Sequence, residues 1–267
     1  MPMAIEKDIL MATSFEPAST PRLRCELHNA ITHFAHSTFE CDMTDPHSIE
    51  LVHFGSKRWA NYFKVVLLGL QSVLPPEVRQ NAHGTIKVLV DGTVPPESSL
   101  SSSAAMTTCS SIVILTALKA LHVVPRKVIA DVACHSERLV GVHSGGMDQA
   151  VSVFGQRDKA LFVSFTPTLH VSPIELPLGH QYVFLVTNTM IKSDKKATAP
   201  ERYNLRVVET RLAAAVLKRV LQTKSDIPIQ LRDTLRSVSD TFWAGHTGEW
   251  DKIVHEFDAV SYTHLRA

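Results

Sequence analysis

Cysteine is sparse in this sequence. Four cysteines (Cys25, Cys41, Cys109 and Cys134) are scattered over 267 residues with no C-x-x-C pair. That excludes a disulfide-stapled scaffold and a thiolate zinc site, and it predicts reduced thiols in a cytoplasmic protein. Charge of one sign is missing too. The 27 Lys and Arg nearly balance the 26 Asp and Glu, and no dense basic block occurs, so neither nucleic acid nor a membrane surface is an expected partner. Long apolar runs are absent. The strongest, IVILTAL at 112–118, is too short to span a bilayer and is flanked by Ser, Thr and Lys. The opening MPMAIEKD has acidic residues where an export signal needs positive and then apolar ones. There is no H-E-x-x-H, no Walker A loop and no internal repeat. His28, His33 and His36 lack ligand spacing beside Cys or carboxylates, and read as structural histidines.

What remains is an ordinary globular balance, 45% hydrophobic and 20% charged, which suffices for a real core. Residues 3–15 read as a strand near a sheet edge. RLRCEL and SIELVHF, within 22–55, alternate as short antiparallel strands around the turn-rich DMTDPHS. In 58–74 the residues Trp59, Tyr62, Phe63, Val66, Leu67 and Leu70 recur at helical spacing, and Pro75-Pro76 stops that helix. TIKVLVDG at 85–92 reads as a strand, and two helices follow, to about 121 and over 126–140. VHSGGMD at 142–148 is a loop, KALFVSF at 159–165 a strand, and TPTLHVSPIELPLG a boundary segment. YVFLVTNTM at 182–190 reads as a buried strand, and NLRVVETRLAAAVLKRVL as an amphipathic helix.

The most informative stretch is ESSLSSSAAMTTCSS at 97–111, nine of whose fifteen residues are Ser or Thr. Ser-rich runs are usually linkers, but this one joins an apolar strand to an apolar helix that opens with small residues. A helix N-terminus presents unpaired N–H groups and the positive end of its dipole, which suit a phosphate. The alternative is a plain serine N-cap with polar neighbours.

VPPESSLSSSAA is similar to the second motif of the GHMP small-molecule kinases, P-x-x-x-G-L-S-S-S-A in the galactokinase branch. SERLVGVHSGGMDQAVSVFG at 136–155 resembles the stretch around that branch's G-G-M-D-Q. TAPERYNLRVVE at 198–209 and RWANYFK at 58–64 are similar to fungal galactokinases. The resemblance extends from Met1 to about residue 220. It implies an α/β (α+β) fold of two lobes. These are an N-terminal ribosomal-S5-like lobe over 1–177, lacking its first strand and sugar motif, and an incomplete ferredoxin-like lobe over 178–267. It also implies ATP-dependent phosphorylation of the anomeric hydroxyl of galactose by a cytoplasmic, monomeric enzyme with Mg²⁺ as its metal.

Carried over residue by residue, the resemblance makes Ser101 and Ser102 contacts to the ATP phosphates, with Ser99 and Ser103 in the same ATP-binding loop. Ser103 and Glu137, eleven residues before Asp148, become Mg²⁺ ligands. Asp148 becomes the catalytic base, with Gly145 and Gly146 letting backbone approach the sugar. Tyr203 becomes a galactose contact and Trp59 a wall of the adenine pocket. Read without the family, Glu137 is a helix-surface carboxylate, Gly145-Gly146 a turn, Tyr203 a core aromatic and Trp59 helix packing. The sequence also departs from the pattern. Ser99 replaces the loop glycine, and Glu97 stands where small residues are usual, so weaker nucleotide binding is expected. The N-terminal G-R-V-N-L-I-G-E-H-x-D-Y and the glycine-rich third motif have no counterpart here. The expectation is a galactokinase fragment with little turnover of its own. Two other readings stay open. One is a galactose- and ATP-binding transcriptional inducer with a regulatory protein partner, against which the intact Ser103-Ala104-Ala105 speaks. The other is N-acetylgalactosamine kinase, which shares G-G-M-D-Q.

Overall fold

A computed structural model describes residues 2–165, 168–175, 184–187, 189–191, 199–224 and 234–244. The chain divides into two compact units, Met1–Thr198 and Ala199–Ala267. The expected lobe boundary at 177 and 178 falls outside the described residues.

The first unit is built on a four-stranded mixed sheet. Its strands are β1 (Ile9–Pro17), β2 (Leu23–Asn29), β3 (Ser37–Cys41) and β4 (Gly84–Gly92), in the order β1-β4-β2-β3. β1 is an edge strand, as expected, and pairs antiparallel with β4. β4 runs parallel to β2, and β2 antiparallel to β3. Alternation sets which face is buried. Leu23, Cys25 and Leu27 of β2, with Ile86, Val88 and Val90 of β4, point into the core, while Arg24, His28 and Leu89 face outward.

Five helices follow from the same logic: α1 (Asn61–Gln71), α2 (Pro76–Gln80), α3 (Ser102–Ala117), α4 (Arg126–Arg138) and α5 (Met147–Phe154). α3 is central, packing against α1, α4, α5 and β1. It is therefore buried on most sides, and its interior includes Thr107, Thr108, Ser110 and Ser111 as well as Ile114 and Leu115. The hydroxyls of Thr107 and Ser111 fold back onto the carbonyls of Ala104 and Thr107.

α1 buries its expected apolar face and three polar side chains besides. The Asn61 amide both accepts from the Val52 N–H and donates to the Val52 carbonyl, at 2.9 and 2.7 Å. Lys64 Nζ donates to the Glu50 carbonyl at 2.7 Å, and Gln71 Nε2 to that of Asp42 at 3.1 Å. These bonds replace a sheet ladder for the segment that follows β3. SIELVHF is accordingly not a strand, in contrast to the sequence expectation.

β5 (Lys159–Ser164) pairs antiparallel with β6 (His170–Glu175). β6 lies inside the proline-rich stretch that reads as a boundary. Pro173 fits because a two-stranded sheet leaves one side of each strand without a ladder. The strand expected at 182–190 is only partly described. Residues 184–187 are in no strand, and Phe184, Leu185 and Val186 are exposed. In the second unit, α6 (Asn204–Lys224) follows a π-helical turn at Ala199–Tyr203 and packs with α7 (Leu235–Ala244). Leu205, Val208, Leu212 and Val216 recur along α6 at helical spacing and are exposed, while Ala214 is buried. Among the described residues no helix is long and apolar enough to cross a membrane.

Candidate active site

The serine-rich run forms the end of a loop and the first turn of α3. Ser101 is the N-cap residue, in the left-handed region at φ 60° and ψ 35°, and no side chain caps the helix. That decides between the two readings of the run in one respect. A plain serine N-cap would spend a hydroxyl on the first-turn N–H groups, and none does. Glu97 and Ser99 are left-handed as well, at φ 58° and 60°, alternating with Ser98 and Leu100 of negative φ. Alternating handedness turns successive N–H groups toward one side, the backbone arrangement of an anion-binding concavity. The loop is braced by Ser98, whose hydroxyl donates to the Pro95 carbonyl at 2.7 Å.

This loop faces a cleft of about 380 Å³, lined by Trp59, by Glu97, Ser99 and Ser101–Ser103, and by Glu137. Trp59 is at once core and cleft wall. It is 8% exposed within the core, with its indole N–H donating to the Ala35 carbonyl at 2.9 Å, yet it contributes to the cleft wall.

Glu137 is not the helix-surface carboxylate of the bland reading. α4 carries it inward, and it is 3% exposed. Burial raises its pKa above the ordinary carboxylate range, and the charge of Asp148 adds to that rise. The hydroxyls of Ser103 and Ser144 and the amide of Gln149 oppose it by hydrogen bonding. So Ser103 and Glu137, far apart in sequence, line the same cleft and interact electrostatically. Ser144 and Gln149 were not singled out in the sequence. Both lie within HSGGMDQ, but nothing in that string says that they reach α4.

Asp148 sits in the first turn of α5, half-buried and close enough to Glu137 for their charges to interact. The two preceding glycines differ. Gly146 is the N-cap of α5 at φ 93°, and a Cβ there would lie 3.0 Å from Cys134 Sγ and 3.1 Å from Phe165 Cε1. Gly145 has open space around it and no left-handed φ. Tyr203 closes the π-helical turn before α6, in the second unit, and is 37% exposed.

The donor set can be tested against a metal. Among the described residues no group of three or more His, Cys, Asp or Glu is placed to hold an ion. The Ser103 hydroxyl and the Glu137 carboxylate, on one cleft, are two hard oxygen donors. That is too few for a protein cage around Ca²⁺ or Zn²⁺, but it fits Mg²⁺, which keeps waters and shares phosphate oxygens.

Residues 61–156 match the GHMP kinases N terminal domain. The chain is similar to galactokinases of several organisms. That of Schizosaccharomyces pombe is 30% identical over 94% of this chain and 49% of the relative. That of Candida albicans is 34% identical over 94% and 48%, and that of Saccharomyces cerevisiae 34% identical over 81% and 42%. The chain thus spans about half the length of the curated relatives it matches. The crystal structure of Lactococcus lactis galactokinase complexed with galactose superposes with a TM-score of 0.58 at 23% identity. The match covers 85% of this chain and 52% of that one, and it shows the shared α/β fold.

Proposed function

We propose that this GHMP kinase segment is the phosphate-binding and base-bearing part of a galactokinase. The reaction is transfer of the γ-phosphoryl group of ATP to the anomeric hydroxyl of galactose. One observation carries the reading: Ser103 and the buried Glu137 line one cleft beneath an uncapped helix start. The names of the fungal relatives support galactose over N-acetylgalactosamine.

In this reading the first-turn N–H groups of α3 and the hydroxyls of Ser101 and Ser102 bind the triphosphate. Trp59 packs beside the base. Ser103 and Glu137 are the residues that would hold Mg²⁺. That ion, when bound, neutralises charge on the phosphate oxygens. Asp148 accepts the proton of the sugar hydroxyl as its oxygen bonds to the γ-phosphorus and the bond to the ADP oxygen breaks. Gly146 sets the entry of α5 and so the position of that carboxylate. Tyr203 is the expected galactose contact.

The test has two parts. Calorimetry should detect ATP binding to the 267-residue chain in the presence of Mg²⁺, and no binding at millimolar ATP would sink the phosphate reading. Any galactose-dependent ADP release should fall at least ~100-fold in Asp148→Asn, the scale of lost general-base catalysis, with ATP affinity unchanged. Equal turnover would remove Asp148 from its role.

A further inference from the structure

The reading above leaves Gln149 without a task, yet it is fully buried in the first turn of α5, next to Asp148. Its Nε2 donates to Glu137 Oε2, and the Ser144 hydroxyl donates to the same oxygen at 3.2 Å. A carboxylate only accepts, so the nitrogen end of the amide must face it. The other end, Oε1, is buried without a partner. A buried unpaired acceptor costs about 1–3 kcal/mol. Stability alone would therefore favour an apolar residue of this shape, and what the amide adds is one bond to Glu137.

We infer that Gln149 is a positioning residue. It holds the Glu137 carboxylate at the cleft that Ser103 also lines, and it ties that orientation to the helix turn that carries Asp148. One side chain thereby keeps the metal-facing carboxylate and the base in register. The inference rests on the proposed reading of Ser103 and Glu137 as the residues that would hold the divalent ion. Partners of this kind, which touch the ligand and not the ion, change metal affinity by about 10–100-fold when removed.

Gln149→Met keeps the shape while removing both the donor and the idle acceptor. It should melt within a few degrees of the wild type and bind ATP equally well without a divalent ion. Mn²⁺ in the presence of ATP, followed by electron paramagnetic resonance, should bind about tenfold more weakly. Undiminished Mn²⁺ binding in the variant overturns the inference alone. A wild-type chain that binds ATP but takes up no Mn²⁺ with it overturns the metal reading of Ser103 and Glu137, and the inference with it. If Gln149→Met does not fold, the wild type answers instead. Its Gln149 side-chain amide protons, assigned by through-bond correlation, should exchange slowly with D₂O and shift on addition of Mg²⁺ and ATP. Fast exchange, or no shift, overturns the role.

Discussion

Two helices of the first unit begin in the same unusual way. α3 starts after left-handed Ser101, and α5 after left-handed Gly146, and neither start is capped by a side chain. The residue type differs. At α5 the left-handed position is a glycine, and a Cβ there would press on Cys134 Sγ and the Phe165 ring, which would have to give by a few tenths of an ångström. At α3 three left-handed positions in five residues are Glu97, Ser99 and Ser101. Each costs about 1–2 kcal/mol relative to a right-handed conformation. The loop thus keeps a backbone that glycine would suit, with serine at position 99. In the α5 turn, backbone and packing both favour glycine. In the α3 loop, the left-handed geometry stands with serine and glutamate.

The largest expected effect breaks the α5 side of that contrast. Gly146→Ala forces a left-handed alanine and a Cβ against Cys134 and Phe165. Left-handed strain of about 1–2 kcal/mol and overpacking of about 1–3 kcal/mol together predict a loss of roughly 2–5 kcal/mol. Urea unfolding measures it, and a change below about 0.5 kcal/mol would show that the turn relaxes at little cost.

How much of this was legible follows from the kind of signal involved. The apolar period of α1, the strand TIKVLVDG and the helix start in the Ser-rich run are local patterns, and they could be read directly. The fold and the pairing of Ser103 with Glu137 came from the family resemblance, because residues 34 apart in sequence carry no local sign of contact. What stayed hidden depends on distant backbone. Asn61, Lys64 and Gln71 are polar residues that no pattern would bury. They are buried because carbonyls and an N–H of the segment after β3 receive them. That clasp is also why SIELVHF, a good strand by alternation, is not one. Gln149 was hidden for the same reason, since its partner lies on another helix. β6 was hidden by its proline, which marks a break only where a strand is paired on both sides.

A middle-sized effect sharpens the α3 side. Glu97 lines the cleft beside Ser99 and Ser101–Ser103. A negative side chain there opposes a triphosphate. Glu97→Gln keeps the backbone and removes the charge, so ATP affinity should rise about two- to fivefold at low salt. The gain should shrink as ionic strength shortens the screening length toward ~3 Å at 1 M. Titration calorimetry at two salt concentrations separates charge from shape. An equal gain at both would mean that the carboxylate acts through packing.

Ser99→Gly isolates the backbone. It relieves about 1–2 kcal/mol of left-handed strain but adds freedom to the unfolded chain, which returns about 0.5–1 kcal/mol. The net stabilisation should be only about 0.5 kcal/mol, read as a small rise in the unfolding midpoint. A clear loss would mean that the Ser99 hydroxyl stabilises the loop.

The smallest effect is the control for the whole contrast. Gly145→Ala meets no atom within 4 Å and requires no left-handed backbone. Its stability should stay within about 0.5 kcal/mol of the parent, or rise slightly as the unfolded chain loses freedom. Of two adjacent glycines in one motif, then, only the second would be fixed by folding. If Gly145→Ala folds normally but weakens galactose binding, the first glycine is kept for close approach of the sugar. If it binds galactose as well as the parent, the pair contains one structural glycine and one that neither folding nor the sugar requires.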